Sequence, residues 1–383
     1  MAGTVAAAIV AGLLWSVGAI DQIAPQPDRL ALFLAGLVLL WTHLRGEGNA
    51  VLVGYYAVLI GAAERSSRIP LTDGSDVLRA TSEALQTLLR GANPYAHTMQ
   101  TTIPVGSPFV YPPGEFLFYL PSYLLVGDIT RVDTITGILS IALIVLAGLR
   151  VGWDRVALPA MLYATWGVGA FRAVDGSNDV SAAFLVILGL VGLTFAQPGT
   201  RSGRIAFIVS AVALGWAVAF KQFAAVIVPL VIRHLVVSGR DWRRYTVIAG
   251  GTAAAFIVPF FLWDPAAFLA QQLATLTFHQ ELWGINLLNV LASQLDVVPL
   301  YPLFFVAEVV LTALAFVLAL RARIATIGGA AFAGCGVVLV ALLLARWSTQ
   351  PYFIYVGAIA CAALALVDHS AALRSAENLE SPR

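Results

Sequence analysis

In the stretch PLTDGSDVLRATSEALQTLLRGANPY, residues 70–95, two acids, Asp73 and Asp76, stand at the head of an amphipathic helix. Val77, Leu78, Thr81, Leu85, Leu88 and Leu89 fall on one face, and Arg79, Glu83, Gln86 and Arg90 on the other. Asp73 or Ser75 can cap this helix, and Gly91 can end it. Acidic residues favour helix N-termini for the dipole alone. A carboxylate that projects from such an end into an open cavity can also take a proton as a general base.

Four further stretches hold polar groups in oily surroundings. FRAVDGSNDVSAAFL, 171–185, gathers Arg172, Asp175, Asn178 and Asp179 between two apolar runs. Charges so close to a membrane core are costly and mark functional sites more often than surface charges do. AFKQFAAVIVPL, 219–230, carries Lys221, the single lysine. It reads either as a snorkelling interfacial residue or as an ammonium that binds a phosphoryl oxygen at low dielectric. ARWSTQPYFIYVG, 345–357, offers Arg346 as an interfacial anchor beside Trp347 and Tyr352, or as a second phosphate ligand. In WDPAAFLAQQLATLTFHQELWGINLLNVL, 263–291, Asp264 and Pro265 start a helix with Gln271, Gln272 and Thr275 on its polar side. His279, Glu281, Trp283 and Asn286 follow. Gln, His, Trp and Asn together can form a sugar-facing wall, although a lone histidine is more often structural. There is no HExxH, CxxC, P-loop or GxGxxG before a helix, and no serine nucleophile elbow.

The elements that must position these groups are membrane helices. Apolar residues make up 60% of the chain and charged residues 11%, against about 25% charged in soluble domains. Candidate spans lie at 4–20, 30–44, 49–63, 133–150, 156–171, 179–196, 204–220, 222–238, 245–263, 299–320, 325–345 and 351–368. The first run lacks a basic n-region and reads as a span, not a cleavable signal. Net charge is +1, so nothing suggests a nucleic-acid partner. Cys335 and Cys361 sit inside apolar runs and read as small buried hydrophobes.

Loop charge sets the expected topology. Loop 233–244, with Arg233, Arg240, Arg243 and Arg244, is expected inside, together with 197–204 and 321–323. Segment 264–283 has no Lys or Arg and is expected outside. The alternation closes only if 110–126, with Pro112, Pro113, Glu115 and Pro121, does not cross. The expectation is an all-α polytopic membrane protein of about 12–13 transmembrane helices. Residues 1–369 form one transmembrane domain, with long outer excursions at 64–132 and 264–298. Both termini, including a polar tail at 370–383, are expected on the cytoplasmic side.

The order of these motifs resembles one family. An aspartate before a helix ending in GANPY, then YPPGEFLFYLP, NDVSAAFL and KQFAAVIVPL, is similar to the GT-C integral-membrane glycosyltransferases. The closest pattern is the polyprenol-phosphate-dependent, mannosyltransferase-like group of glycosyltransferase family 87. The likeness runs from about residue 60 to 357, and oligosaccharyltransferase catalytic subunits share the same outline. Two departures stand out: two extra spans precede the usual first one, and DGSD replaces a tight DxD. The resemblance implies a GT-C-type helical bundle that performs inverting transfer from a polyprenyl-phosphate sugar on the extracytoplasmic face of the cell membrane. The sugar would be mannose or arabinofuranose, and the acceptor a hydroxyl of a cell-envelope glycolipid or polysaccharide. Asp76 would be the base, ahead of Asp73. Lys221 and Arg346 would bind the donor phosphate. Arg172, Asn178, Asp179, Tyr95, Tyr111, Glu115, His279 and Asn286 would contact substrates. No metal is required, although a divalent ion between Asp76 and Asp179 is conceivable. A flippase of lipid-linked sugars, or a non-catalytic lipid-binding relative, is the alternative.

Overall fold

A computed structural model of the chain describes residues 2–18, 27–277 and 282–367. His279 and the tail at 370–383 lie outside the described residues. The chain forms α1 (Ala2–Gly18), α2 (Pro27–Leu44), α3 (Ala50–Arg68), α4 (Asp76–Leu89), α5 (Gly114–Val126) and α6 (Val132–Val151). Then come α7 (Trp153–Thr165), α8 (Gly167–Val174), α9 (Asp179–Phe195), α10 (Arg201–Phe220), α11 (Ala224–Val237) and α12 (Trp242–Trp263). The last third holds α13 (Pro265–Thr277), β1 (Trp283–Gly284), α14 (Leu287–Ala292), α15 (Tyr301–Arg321), α16 (Ile327–Leu344), β2 (Trp347–Ser348) and α17 (Gln350–Leu366).

This is an all-α polytopic membrane architecture, and the described part of each expected span but 156–171 falls on a single helix. Among the described residues, five helical runs are long and apolar enough to cross a membrane alone: α6, α10, α12, Val298–Arg321 and α16. The pair α8 and α9 is long and apolar enough only when taken together, and it is bent by 108°, as a broken span or a re-entrant loop is. The expected span at 156–171 is broken. Trp166 adopts an extended conformation (ψ 93°) between α7 and α8, so Arg172 stands on a short separate helix. Of the other expected spans, α2 and α3 are as long as α16 but less apolar, and α1, α11 and α17 are shorter. The centre is built on α9, α6, α7 and α17, whose interior faces are almost fully buried. At the periphery, α15 buries none of its residues and exposes Leu303, Phe305, Val306, Val309, Val310 and Leu314. A helix whose outer surface is bare and apolar is stable in lipid, not in water.

Two features position the candidate chemistry. Ser75 caps α4: its Oγ accepts from Leu78 N (3.1 Å) and donates to the Gly176 carbonyl (2.8 Å). Ser75 N also donates to the Asp175 carbonyl. The head of the first outer helix is thereby fastened to the turn before α9. The apolar face of α4 is covered by protein: Ala80, Thr81, Ala84 and Leu85 are buried. Second, α5 has 13 residues, about 20 Å of helix at 1.5 Å per residue, against a hydrocarbon core of about 30 Å. It packs on α10 through Gly114, where a Cβ would come within 2.6 Å of the Ala219 carbonyl oxygen. Trp216 Nε1 donates to the Gly114 carbonyl across the same seam (2.8 Å).

Candidate functional site

The turn before α9 is the hub. Asn178 adopts a left-handed backbone (φ 58°), a conformation that asparagine tolerates better than most residues. That turn brings Asn178 and Asp179 under the C-terminal end of α10, where Lys221 is the cap residue. Lys221 Nζ donates to Asp179 Oδ1 (2.6 Å) and Asn178 Oδ1 (3.0 Å). A cation at a helix C-terminus is also favoured by the dipole. Asn178 Nδ2 donates to Glu115 Oε1 (3.2 Å), which lies 2.7 Å from Thr81 Oγ1 of α4. A buried polar chain thus runs from α4 through α5 and the α9 turn to Lys221. Below it, Asp133 accepts from Tyr119 Oη and from Ser181 Oγ and N.

Lys221 is buried, with 2% of its surface exposed, so it is not a snorkelling lysine. The rings of Tyr352 (4.9 Å), Tyr111 (5.6 Å) and Phe223 (5.8 Å) surround its ammonium. A desolvated cation over aromatic faces gains further attraction. These residues line a cavity of ≈ 620 Å³ together with Gln222, Gln272, Glu308, Arg346 and Trp347. Phe304, Phe305, Leu288, Ala341 and Leu342 supply an apolar wall. The cavity therefore combines cations, hydrogen-bonding side chains and a greasy side facing α15.

Arg346 reaches this cavity because the two ends of the last third pair. β1 and β2 run parallel, with Trp283 opposite Trp347 and Gly284 opposite Ser348. Ser348 Oγ donates to the Ile285 carbonyl (2.9 Å), and Asn286 Nδ2 donates to the Arg346 carbonyl (3.2 Å). Asn286 also caps α14, its Oδ1 accepting from Asn289 N (2.7 Å). Expected to touch substrate, Asn286 is buried and holds the backbone that presents Arg346. The Arg346 guanidinium lies 5.5 Å from the Tyr301 ring.

Asp76 stands at the head of α4, outside that polar chain. It is half-buried, and its Oδ1 accepts from Ile103 N (2.9 Å). Burial raises its carboxyl above the ordinary aspartate value, against the opposing pull of the Ile103 N–H and Arg79. It is not among the residues lining the cavity, but its charge reaches Tyr111, which is. Burial pushes the Tyr111 phenol well up, and Tyr352, Asp179, Glu115 and Asp76 add to the effect. Asp73 is exposed on the loop before the cap.

Other candidates have turned inward. Tyr95 is buried among Phe109, Phe116, Phe260 and Phe268, and its hydroxyl donates to the Tyr111 carbonyl (2.8 Å). It therefore sets the position of Tyr111 rather than lining the cavity. Glu115 has no exposed surface. Arg172 pairs with Asp175 (2.5 Å) and donates to Gln350 Oε1, at one edge of the α9 turn. Sequence reasoning passed over Glu308, although it is the single charged residue in the run from 302 to 320; an acid at that depth was the available signal. It also placed Glu83 on a solvated face. The structure buries Glu83 beneath the segment 97–101, where Thr101, Gln100 and His97 converge on it. No three potential metal-ligating side chains gather among the described residues.

No family model and no curated protein matches the sequence. Two solved structures do. ArnT from Cupriavidus metallidurans in the apo state superposes with a TM-score of 0.50 at 18% identity, covering 76% of this chain and 54% of that one. The same protein bound to undecaprenyl phosphate gives 0.51 at 16% identity, covering 82% and 59%. The chain thus spans between half and two thirds of the length of ArnT. At this level of identity the likeness establishes the fold alone: the chain shares the helical membrane fold of that protein.

Proposed function

We propose that the protein is an inverting glycosyltransferase that moves a sugar from a polyprenyl-phosphate donor to an acceptor hydroxyl at the extracytoplasmic membrane face. The observation that carries this reading is the single cavity in which Lys221 and Arg346 meet beside an apolar wall. A lipid phosphate needs both: cations for its head and a greasy side for its chain. A GT-C neighbour bound to undecaprenyl phosphate supports the same class of donor. Motif order favours the family 87 group, and with it mannose or arabinofuranose and a glycolipid or polysaccharide acceptor.

In the reaction, Asp76 takes the proton of the acceptor hydroxyl as its oxygen attacks the anomeric carbon. The bond from that carbon to the phosphate oxygen breaks, and its electron pair stays on the phosphate. Lys221 and Arg346 stabilise the charge that develops there. Preorganised donors of this kind contribute about 3–4 kcal/mol each in other enzymes. The Asp179 carboxylate and the aromatic cage fix the Lys221 ammonium before substrate arrives, so no reorganisation is needed during the step. Tyr111 and the Thr81–Glu115–Asn178 chain connect the helix bearing the base to the cationic site.

The test is reconstitution in lipid with a radiolabelled polyprenyl-phosphate sugar and candidate glycan acceptors. Label is expected in the acceptor, with inverted anomeric configuration. Movement of intact donor across the bilayer without any transfer would replace this reading with that of a flippase.

A further inference from the structure

Glu308 is the acid that this scheme leaves unused. It lies two turns into α15 from Tyr301, about 10 Å along the helix, and it lines the cavity that Lys221 and Arg346 share. Its neighbours on that wall are Phe304 and Phe305, and no described residue hydrogen-bonds or ion-pairs with it. Farther along α15, Phe316, Ala319 and Leu320 pack against the core, while Val306, Val309, Val310 and Leu314 face outward. An unpaired carboxylate in such a place is expensive before substrate arrives. A carboxylic acid would instead donate a hydrogen bond to a bound phosphate.

Charge balance gives the acid a task. The titratable and charged groups facing Glu308 are Lys221, Tyr111, Arg346, Tyr352 and, on its own helix, Tyr301. Asp179 stands behind Lys221 and compensates it at 2.6 Å. Lys221 and Arg346 against Asp179 leave at most one net positive charge. That suits the donor, whose phosphate diester carries one negative charge. Bond cleavage puts a second charge on the phosphate, and a proton from the cavity wall passes that charge to a side chain that water can reprotonate once the lipid has left.

We propose that Glu308 supplies the proton that converts the phosphate released in this cavity to its monoanion. The inference rests on the glycosyltransferase reading above. As the anomeric C–O bond breaks and its electron pair passes to the phosphate oxygen, the Glu308 carboxyl proton moves to the phosphate, leaving a carboxylate. The acceptor proton goes separately to Asp76. Polyprenyl phosphate departs as a monoanion, and Glu308 takes a proton from water while Asp76 returns one. No net proton is consumed.

The experiment is a phosphorus NMR titration of a short-chain polyprenyl phosphate bound to the full protein in nanodiscs, with wild type, Glu308→Gln and Glu308→Asp. The phosphate is expected to lose its second proton about one pH unit or more higher in wild type than in Glu308→Gln. Glu308→Asp should keep part of that shift, which shows that the acid, not the shape of the side chain, is responsible. In single-turnover transfer, Glu308→Gln should be slower by about 100-fold and lose the alkaline fall of the wild-type rate. Equal midpoints in wild type and Glu308→Gln overturn the proposal. The titration needs neither acceptor nor turnover, so a wild type that shows the shift but transfers no sugar refutes the glycosyltransferase reading alone. A wild type that does not bind the phosphate overturns both.

Discussion

Asp76 and Glu83 stand on the same helix, under the same strap of chain, and are built for opposite purposes. Glu83 is buried and receives the Gln100 and Thr101 amides, the Thr101 hydroxyl and His97 Nε2 at 2.6–3.0 Å. Burial works against its charge, but the Thr101, Gln100 and His97 hydrogen bonds outweigh it and hold the carboxyl down at about 2. Asp76 has one amide, from Ile103, and burial holds its carboxyl above the ordinary value. Glu83 fixes the strap as a permanent anion. Asp76, two turns earlier, keeps lone pairs uncommitted and a proton affinity that has been raised. The difference separates a structural carboxylate from one able to exchange a proton in turnover.

Substitution should break this contrast most sharply at Asp76. Asp76→Asn keeps an acceptor for Ile103 N, so melting temperature should hardly move, while transfer falls about 10²- to 10⁴-fold. A variant that transfers normally removes Asp76 as the base. Glu83→Gln should show the reverse signature. It leaves strap donors poorly matched in a buried place, at a cost of about 1–3 kcal/mol. Amide hydrogen exchange at residues 97–103 should rise, with a smaller, indirect loss of transfer.

Acidity sharpens the comparison. The Glu83 carboxyl is depressed, so the stability it contributes is present above its ordinary value near 4.5 and is lost as pH falls toward about 2. The Asp76 carboxyl is raised, and a base works only when ionised. Transfer should therefore fall on acidification while the fold is still intact, with its acidic limb above the ordinary aspartate value of 3.8. Coincident loss of activity and of strap protection would mean that one group governs both. The smallest effect belongs to Asp73→Asn. This exposed side chain should change neither transfer nor melting temperature, and a large loss there would move the base to Asp73.

The sequence revealed what periodicity and caps can reveal. Hydropathy located the spans, and the Ser75 and Gly91 signals bounded α4. Loop charge led to the short, non-crossing reading of α5. Partnerships were less legible. Lys221 and Asp179 are 42 positions apart and meet only because the left-handed turn at Asn178 swings α9 beneath α10. Glu83 looked solvent-facing because a helical period is blind to a strap laid over it. Arg346 was already set beside Lys221 as a phosphate ligand by the resemblance, but the β1–β2 pairing that holds its backbone was not legible. Asn286 was chosen for its amide, which in the fold serves a helix cap and a backbone carbonyl. In each case a tertiary contact, not local composition, assigned the side chain its surroundings.

The central claim is that one cavity holds the lipid phosphate between Lys221 and Arg346. An electron cryomicroscopy map of the protein in nanodiscs with bound polyprenyl phosphate tests it most directly. The account predicts phosphate density within hydrogen-bonding distance of both cations, with the lipid chain leaving past Phe304 and Phe305. Density for the phosphate elsewhere, with the cavity between Lys221 and Arg346 closed or filled by water alone, would contradict it.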